Sequence, residues 1–116
     1  VQLTEVSYEM AYAAVCRLWN SDSRPNAFFT ISDVFAAAVI RAAKRFHLHV
    51  PRDILVVGFD NIELSSMTSP SITTVNQPKF QMGYTACEML LELMEDPHGE
   101  MKSLLLDTEL VIREST

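Results

Sequence analysis

Residues Ile54–Phe59 form the run ILVVGF, which has no polar side chain and is bounded by Asp53 and Asp60. A short, continuous apolar run is typical of a strand buried on both faces of a parallel sheet. Two similar runs flank it: Ala27–Ile31 (AFFTI) before it and Ile72–Asn76 (ITTVN) after it. The sequence therefore predicts three short strands that share one sheet.

The segment Val34–Phe46, between the first two strands, predicts a helix. It is dominated by Ala, Val and Ile, follows Ser32 and Asp33, and closes on Lys44 and Arg45. Serine and aspartate are favoured N-caps, and cations in the last turn suit the negative end of the helix dipole. Strands that alternate with helices form βαβ units, so we expect an α/β fold with a parallel, Rossmann-like sheet.

The flanking segments extend this pattern. Helices are expected over Ser7–Asn20 and from Pro78 to the break at Pro97, because apolar residues recur there at helical spacing. The remaining segments predict a polar loop and three more short strands: Asp60–Ser71 for the loop, and Val1–Val6, Ser103–Leu106 and Thr108–Arg113 for the strands.

The composition excludes several classes of protein. The chain has 116 residues, 48% of them hydrophobic, with 9 Lys and Arg against 15 Asp and Glu. Its length suits one domain at most, and its apolar content argues against disorder. An acidic balance argues against phosphate binding by this chain, and two cysteines are too few for a disulfide scaffold. We expect no membrane span and no signal peptide.

Two polar pairs follow predicted strands: Ser32-Asp33 and Asp60-Asn61. In parallel α/β sheets, ligands bind outside the carboxyl ends of the strands. Asp60 is therefore either a carboxylate that accepts hydrogen bonds from a ligand or the start of an Asx turn. A helix N-cap explains Ser32 and Asp33 without any ligand.

Other candidate sites have weaker support. We find no nucleophile elbow, no phosphate-binding glycine loop and no cofactor motif, so catalysis is not expected. His47 and His49 lack further ligands at zinc spacing, and we expect no metal. Gln77 and Lys79 flank Pro78 and face either a ligand or solvent. The run VFAAAVI (residues 34–40) is apolar all round, which indicates burial in a larger domain or an oligomer interface.

Three longer stretches resemble a known family: HVPRDILVVGFDN (49–61), SPSITTVNQPKFQMGYTACEMLLELM (69–94) and ELVIREST (109–116). With RPNAFFTISD (24–33), they are similar, in order and spacing, to the C-terminal part of lactose-repressor-type (LacI/GalR) transcriptional regulators. The resemblance covers nearly the whole chain, residues 1–116. It implies a type I periplasmic-binding-protein-like fold, of which this chain is the C-terminal portion, and no cofactor.

The resemblance also implies a function. Such regulators carry a helix-turn-helix head, absent here, and bind a sugar or a nucleoside-like effector between two lobes. Asp60 matches the family's ligand-binding Asp, and Asp33 matches the Asp of its Asn-Asp pair, with Ser32 in place of the Asn. Val6 stands where many members place an aromatic ring, and Lys79, next to Gln77, stands where some members do the same. His47 replaces a common glycine and is expected to be strained if it is left-handed.

The family's dimer contacts map onto the helix after Asp33 and the loop after the VVGFD strand. The residues implied are Val34, Phe35, Ala37, Ala38, Arg41, Leu64 and Met67. The resemblance thus predicts a cytoplasmic, homodimeric repressor that contacts operator DNA through a separate head. A periplasmic sugar-binding receptor of similar fold is the alternative, and an enzyme is a distant third.

Overall fold

The computed structural model describes residues 7–21, 24–99 and 102–116, and the α/β class with a parallel sheet is confirmed. In chain order the elements are α1 (Tyr8–Trp19), β1 (Ala27–Phe29), α2 (Asp33–Arg45), β2 (Leu55–Phe59), α3 (Leu64–Met67), β3 (Thr73–Asn76), α4 (Lys79–Glu95) and β4 (Glu109–Val111).

Two predictions about the elements are wrong. The segment 60–71 is not all loop, because it contains the one-turn helix α3. Residues 103–106 do not form a strand, and Leu105 is 93% exposed, because an apolar run becomes a strand only where a neighbouring strand pairs with it. The predicted strand Val1–Val6 lies outside the described residues.

The chain divides into two compact units. The first comprises the chain up to Asn76 together with Leu110–Thr116, and the second comprises Gln77–Glu109. The second unit contains α4, none of whose side chains is buried. The first unit contains the helices and strands that build the predicted sheet and its core.

The sheet has the strand order β1-β2-β3-β4, with β1, β2 and β3 parallel. On one face α2 packs against β2, and Val39, Val56 and Ile72 are at most 2% exposed there. Trp19 of α1 closes this core through edge-on contacts with Phe28 and Phe46, each with 5.5 Å between ring centroids. On the other face Phe29 and Leu55 are 69% and 43% exposed, so part of the apolar content lies at the surface.

Both ends of α2 are capped by hydrogen bonds of standard types. Ser32 is its N-cap, as predicted, and its hydroxyl accepts a hydrogen bond from the Phe35 amide at 3.4 Å. At the other end the His47 and Leu48 amides donate to the Lys44 and Ala43 carbonyls, which is the Schellman pattern. His47 has φ 55°, so it adopts the left-handed conformation, which is disfavoured for a non-glycine residue.

Asp53 closes the connection between α2 and β2. Its carboxylate accepts hydrogen bonds from Arg52 Nε at 3.1 Å and from the His49 amide at 2.7 Å. Together with a further contact to the His49 ring, these donors hold the pKa of Asp53 well below its usual range. The Asp after Val50-Pro51 therefore stabilises the turn that leads into β2.

The segment after β4 completes the pairing of β2 and β3. The Ser115 hydroxyl accepts from the Thr73 amide at 2.8 Å and donates to the Val56 carbonyl, while the Val56 amide donates to the Ser115 carbonyl. Ser115 is fully buried. The closing motif ELVIREST therefore supplies hydrogen-bond partners to the interior strand β2.

Candidate functional site

The carboxyl ends of β1 and β2 bring Ser32, Asp33 and Asp60 to one edge of the sheet in the first unit. Ser32 and Asp60 are half-buried there, and Asp33 is fully buried. Because ligands of open α/β sheets bind at this edge, it is the candidate binding site. Its structure centres on the turn formed by Asp60 and Asn61.

Asp60 and Asn61 both lie in the left-handed region, with φ 96° and 48°. Aspartate and asparagine tolerate this region better than other non-glycine residues, although it still costs free energy. The Asp60 amide continues the ladder of β2 by donating to the Val75 carbonyl at 3.0 Å. The turn thus begins directly at the end of the strand and carries the Asp60 carboxylate at the edge of the sheet.

Asp33 is fully buried, and its carboxylate accepts hydrogen bonds from the residue that follows the turn and from β3. One of its carboxyl oxygens accepts from the Ile62 amide at 2.8 Å, and the other accepts from the Thr74 hydroxyl at 2.5 Å. Gly58 faces it so closely that a Cβ atom at that position would overlap Asp33 Oδ1. Asp33 therefore contacts the turn and β3 from a fully buried position.

Sequence reasoning missed a second set of contacts around Asn61. Its side-chain oxygen accepts from the Arg113 guanidinium at 2.8 Å, and its side-chain nitrogen donates to Asn76 Oδ1 at 3.1 Å. Its backbone amide donates to the Thr74 hydroxyl at 3.2 Å. The available signals were Asn61 beside Asp60 and Arg113 in the closing motif, but neither residue by itself indicates the other.

Of the other predicted effector-binding residues, two belong to the second unit and one is outside the described residues. Gln77 and Lys79 belong to the second unit, where Lys79 is the first residue of α4 and its amide donates to the Gln77 carbonyl at 2.8 Å. Val6 lies outside the described residues. The structure therefore gathers three of the six predicted residues at one edge.

The predicted dimer surface is only partly available. Phe35 is 8% exposed and Ala38 is fully buried, because both pack against α1 within the chain. The apolar run of α2 indicated burial in a larger domain or an oligomer interface, and α1 of the same chain covers part of this surface. The remaining residues of the prediction are half-buried or exposed: Val34, Ala37, Arg41, Leu64 and Met67.

Two further searches concern only the part of the chain that the structure describes. No group of three or more His, Cys, Asp or Glu side chains there is arranged to hold a metal ion. No helix in those ranges is both long enough and apolar enough to cross a membrane.

Known proteins share this architecture. Residues 2–116 match the periplasmic binding protein-like domain. The chain belongs to this family. Within the family it is similar to two repressors, and it spans about a third of the length of each.

The first relative is the HTH-type transcriptional repressor PurR of Aliivibrio salmonicida (strain LFI1238). It is 40% identical over 105 residues, which are 90% of this chain and 32% of the repressor. The second is the HTH-type transcriptional repressor CytR of Escherichia coli (strain K12). It is 38% identical over 112 residues, which are 97% of this chain and 33% of the repressor.

A solved structure supports the same assignment. A LacI family transcriptional regulator from Enterococcus faecalis V583, with bound ribose, superposes with a TM-score of 0.86 and 32% identity. The match covers 97% of this chain and 42% of that one. The predicted resemblance to the C-terminal part of a LacI-type core and its periplasmic-binding-protein-like fold are confirmed.

Proposed function

We propose that this chain is the effector-binding and dimerisation portion of a cytoplasmic LacI-type transcriptional repressor. The observation that carries the proposal is the Asp60-Asn61 turn, which presents a carboxylate at the carboxyl end of β2. The similarity to HTH-type repressors favours this function over that of a periplasmic receptor. Ser32 and Asp60 are the proposed contacts in the first unit, and Asp33, Val6, Gln77 and Lys79 remain predictions.

The proposed effector is a sugar or a nucleoside-like molecule. A carboxylate at a sheet edge suits ligands with several hydroxyl groups, because each hydroxyl can donate a charge-assisted hydrogen bond to it. The ribose bound to the E. faecalis regulator belongs to this chemical class. No bond is made or broken in this function, since the effector acts only through its different affinities for two conformations of the protein.

Operator DNA is proposed to contact a different part of the protein. This chain has a formal net charge of −6, which opposes phosphate binding. Full-length protein should therefore select a specific DNA site from a random-sequence pool, and an effector should change its affinity for that site. Full-length protein that shows no sequence-specific DNA binding would contradict the proposed function.

Asp60→Asn in the full-length protein is expected to weaken effector binding by about 1–3 kcal/mol, because it removes the charge from a charge-assisted hydrogen bond. Isothermal titration with D-ribose, cellobiose and adenosine measures this effect for each compound that binds the wild type. Glu63→Gln is the matched control, because Glu63 is an exposed carboxylate three residues along the same loop. Equal affinities for wild type and Asp60→Asn would remove Asp60 from the site.

We also propose that the exposed part of α2 and α3 forms a homodimer interface. Met67 is 72% exposed, and it lies with the half-buried Leu64 on α3, which packs against α2. Val34, Ala37 and Arg41 complete this surface on α2, whereas Phe35 and Ala38 are left out because they are buried.

Ala37→Glu is expected to convert a dimer into a monomer, because it places an unpaired charge in an interface that is largely apolar. Analytical ultracentrifugation of the full-length protein measures the change. Arg24→Glu adds the same side chain at an exposed position before the amino end of β1, and it should leave the dimer intact. An intact Ala37→Glu dimer would reject this surface.

A further inference from the structure

The turn at Asp60 and Asn61 is held by contacts from several parts of the first unit. The Asn61 side chain uses both its oxygen and its nitrogen, toward Arg113 and Asn76 respectively. The Ser65 hydroxyl lies 3.3 Å from the same oxygen and donates to the Ile62 carbonyl at 2.7 Å. These contacts compensate for two successive left-handed residues, a backbone conformation that persists only where its surroundings impose it.

Arg113 is the centre of this set of contacts. Besides Asn61 Oδ1, its guanidinium donates to the Ile72 carbonyl at 2.8 Å and to Ser65 Oγ at 3.0 Å. Its backbone amide donates to Thr73 Oγ1 at 2.8 Å, which fixes the main chain from which the side chain extends. The planar guanidinium therefore connects three parts of the unit, which are the residue before β3, the helix α3 and the turn at Asp60 and Asn61. The ammonium group of a lysine would not reproduce this geometry.

We infer that Arg113 and Asn61 form a positioning pair, which fixes the turn and thereby sets the direction of the Asp60 carboxylate toward a polyhydroxylated effector. The inference rests on the proposed function of Asp60. Neither residue needs to touch the effector. A turn released from Asn61 spends part of its time in other conformations, and the apparent dissociation constant rises as the binding-competent fraction falls.

Effector affinity gives the first test in the full-length protein. D-ribose, cellobiose and adenosine are each titrated into wild type, Arg113→Gln, Asp60→Asn and the double variant. Arg113→Gln is expected to weaken binding about tenfold, which corresponds to a competent fraction near one tenth. In the double variant the two losses of binding free energy should be less than additive. Once the turn no longer directs residue 60 toward the effector, removing its charge lowers the affinity by less.

A merely structural role predicts a different result. It would lower stability but leave the affinity of the folded protein unchanged, or the two losses would add. Either of these results overturns the inference. If Asp60→Asn itself leaves binding unchanged, the proposed role of Asp60 fails, whereas a loss for Asp60→Asn without a loss for Arg113→Gln refutes only the positioning pair.

Hydrogen exchange provides a second test that needs no effector. Arg113→Gln and Asn61→Leu should both accelerate exchange of the Asn61 and Ile62 amides by a larger factor than exchange of the Val39 amide in α2, which reports the global stability. Asn61→Asp should exchange more slowly than Asn61→Leu, because aspartate tolerates the left-handed region and accepts from Arg113, although it loses the bond to Asn76. Unchanged exchange at the turn in both disruptive variants would overturn the inference, even if one of them binds weakly.

Discussion

Replacing Gly58 by alanine is expected to lower the free energy of unfolding by about 3 kcal/mol, the upper part of the range for overpacking a buried site. Gly58 has a negative φ, so the reason is space and not backbone freedom. An added Cβ would overlap Asp33 Oδ1 and would lie 3.1 Å from Ile72 Cγ2. Both neighbours are fully buried, so neither can move aside without disturbing the core.

Urea denaturation measures this loss, and Gly83→Ala is its matched control. Gly83 lies inside α4, and a Cβ added there would meet no atom within 4 Å. Alanine is the better helix former, so this control should stabilise the helix by about 0.5–1 kcal/mol. If Gly58→Ala unfolds at the same urea midpoint as the wild type, the Asp33 carboxylate does not lie against Gly58.

Asp33→Ala is expected to cost about 3 kcal/mol, because it leaves two buried donors without an acceptor. These donors are the Thr74 hydroxyl and the Ile62 amide. Asp33→Asn keeps one acceptor oxygen, so it should cost about half as much. The midpoints of urea unfolding rank the variants, and equal stability of Asp33→Ala and wild type would contradict the described contacts.

The double variant Gly58→Ala/Asp33→Ala tests whether the two residues share one space. Removing the Asp33 carboxyl group leaves room for the added methyl group, so Gly58→Ala should cost at least about 1 kcal/mol less in the Asp33→Ala protein. Strictly additive losses would show that the two positions do not meet.

The sequence predicted most of the fold, because the spacing of apolar residues and the residues that begin and end helices are features of the local sequence. The apolar run of β2 indicated a buried strand, and Ser32 indicated the N-cap of α2. The positive φ of His47 was not predicted; this residue follows Phe46, the C-cap of α2, at the position where helices commonly end in a left-handed residue. The short helix α3 could not be predicted, because it has one turn, little apolar periodicity and no side-chain cap.

The site was predicted less completely, because its contacts join residues that are far apart in the chain. Asp60 could be proposed from its position after β2, but the turn also depends on Asp33 and Arg113, which are 27 residues before it and 53 after it. The pairing of β1 with β2 and of β2 with β3, and the bonds of the segment after β4 to Thr73, bring these groups together. For the same reason, the coverage of Phe35 and Ala38 by α1 was not visible from the periodicity of α2.

Ser115 forms hydrogen bonds with residues of both β2 and β3. Because translation proceeds from the amino end, β2 and β3 are synthesised before Ser115. When β2 and β3 leave the ribosome, the Val56 amide and carbonyl and the Thr73 amide still lack these partners. Some forty further residues must be synthesised before Ser115 can reach them, since Thr73 and Ser115 are 42 residues apart. The interior of the nascent sheet therefore stays incompletely bonded throughout the translation of the second unit.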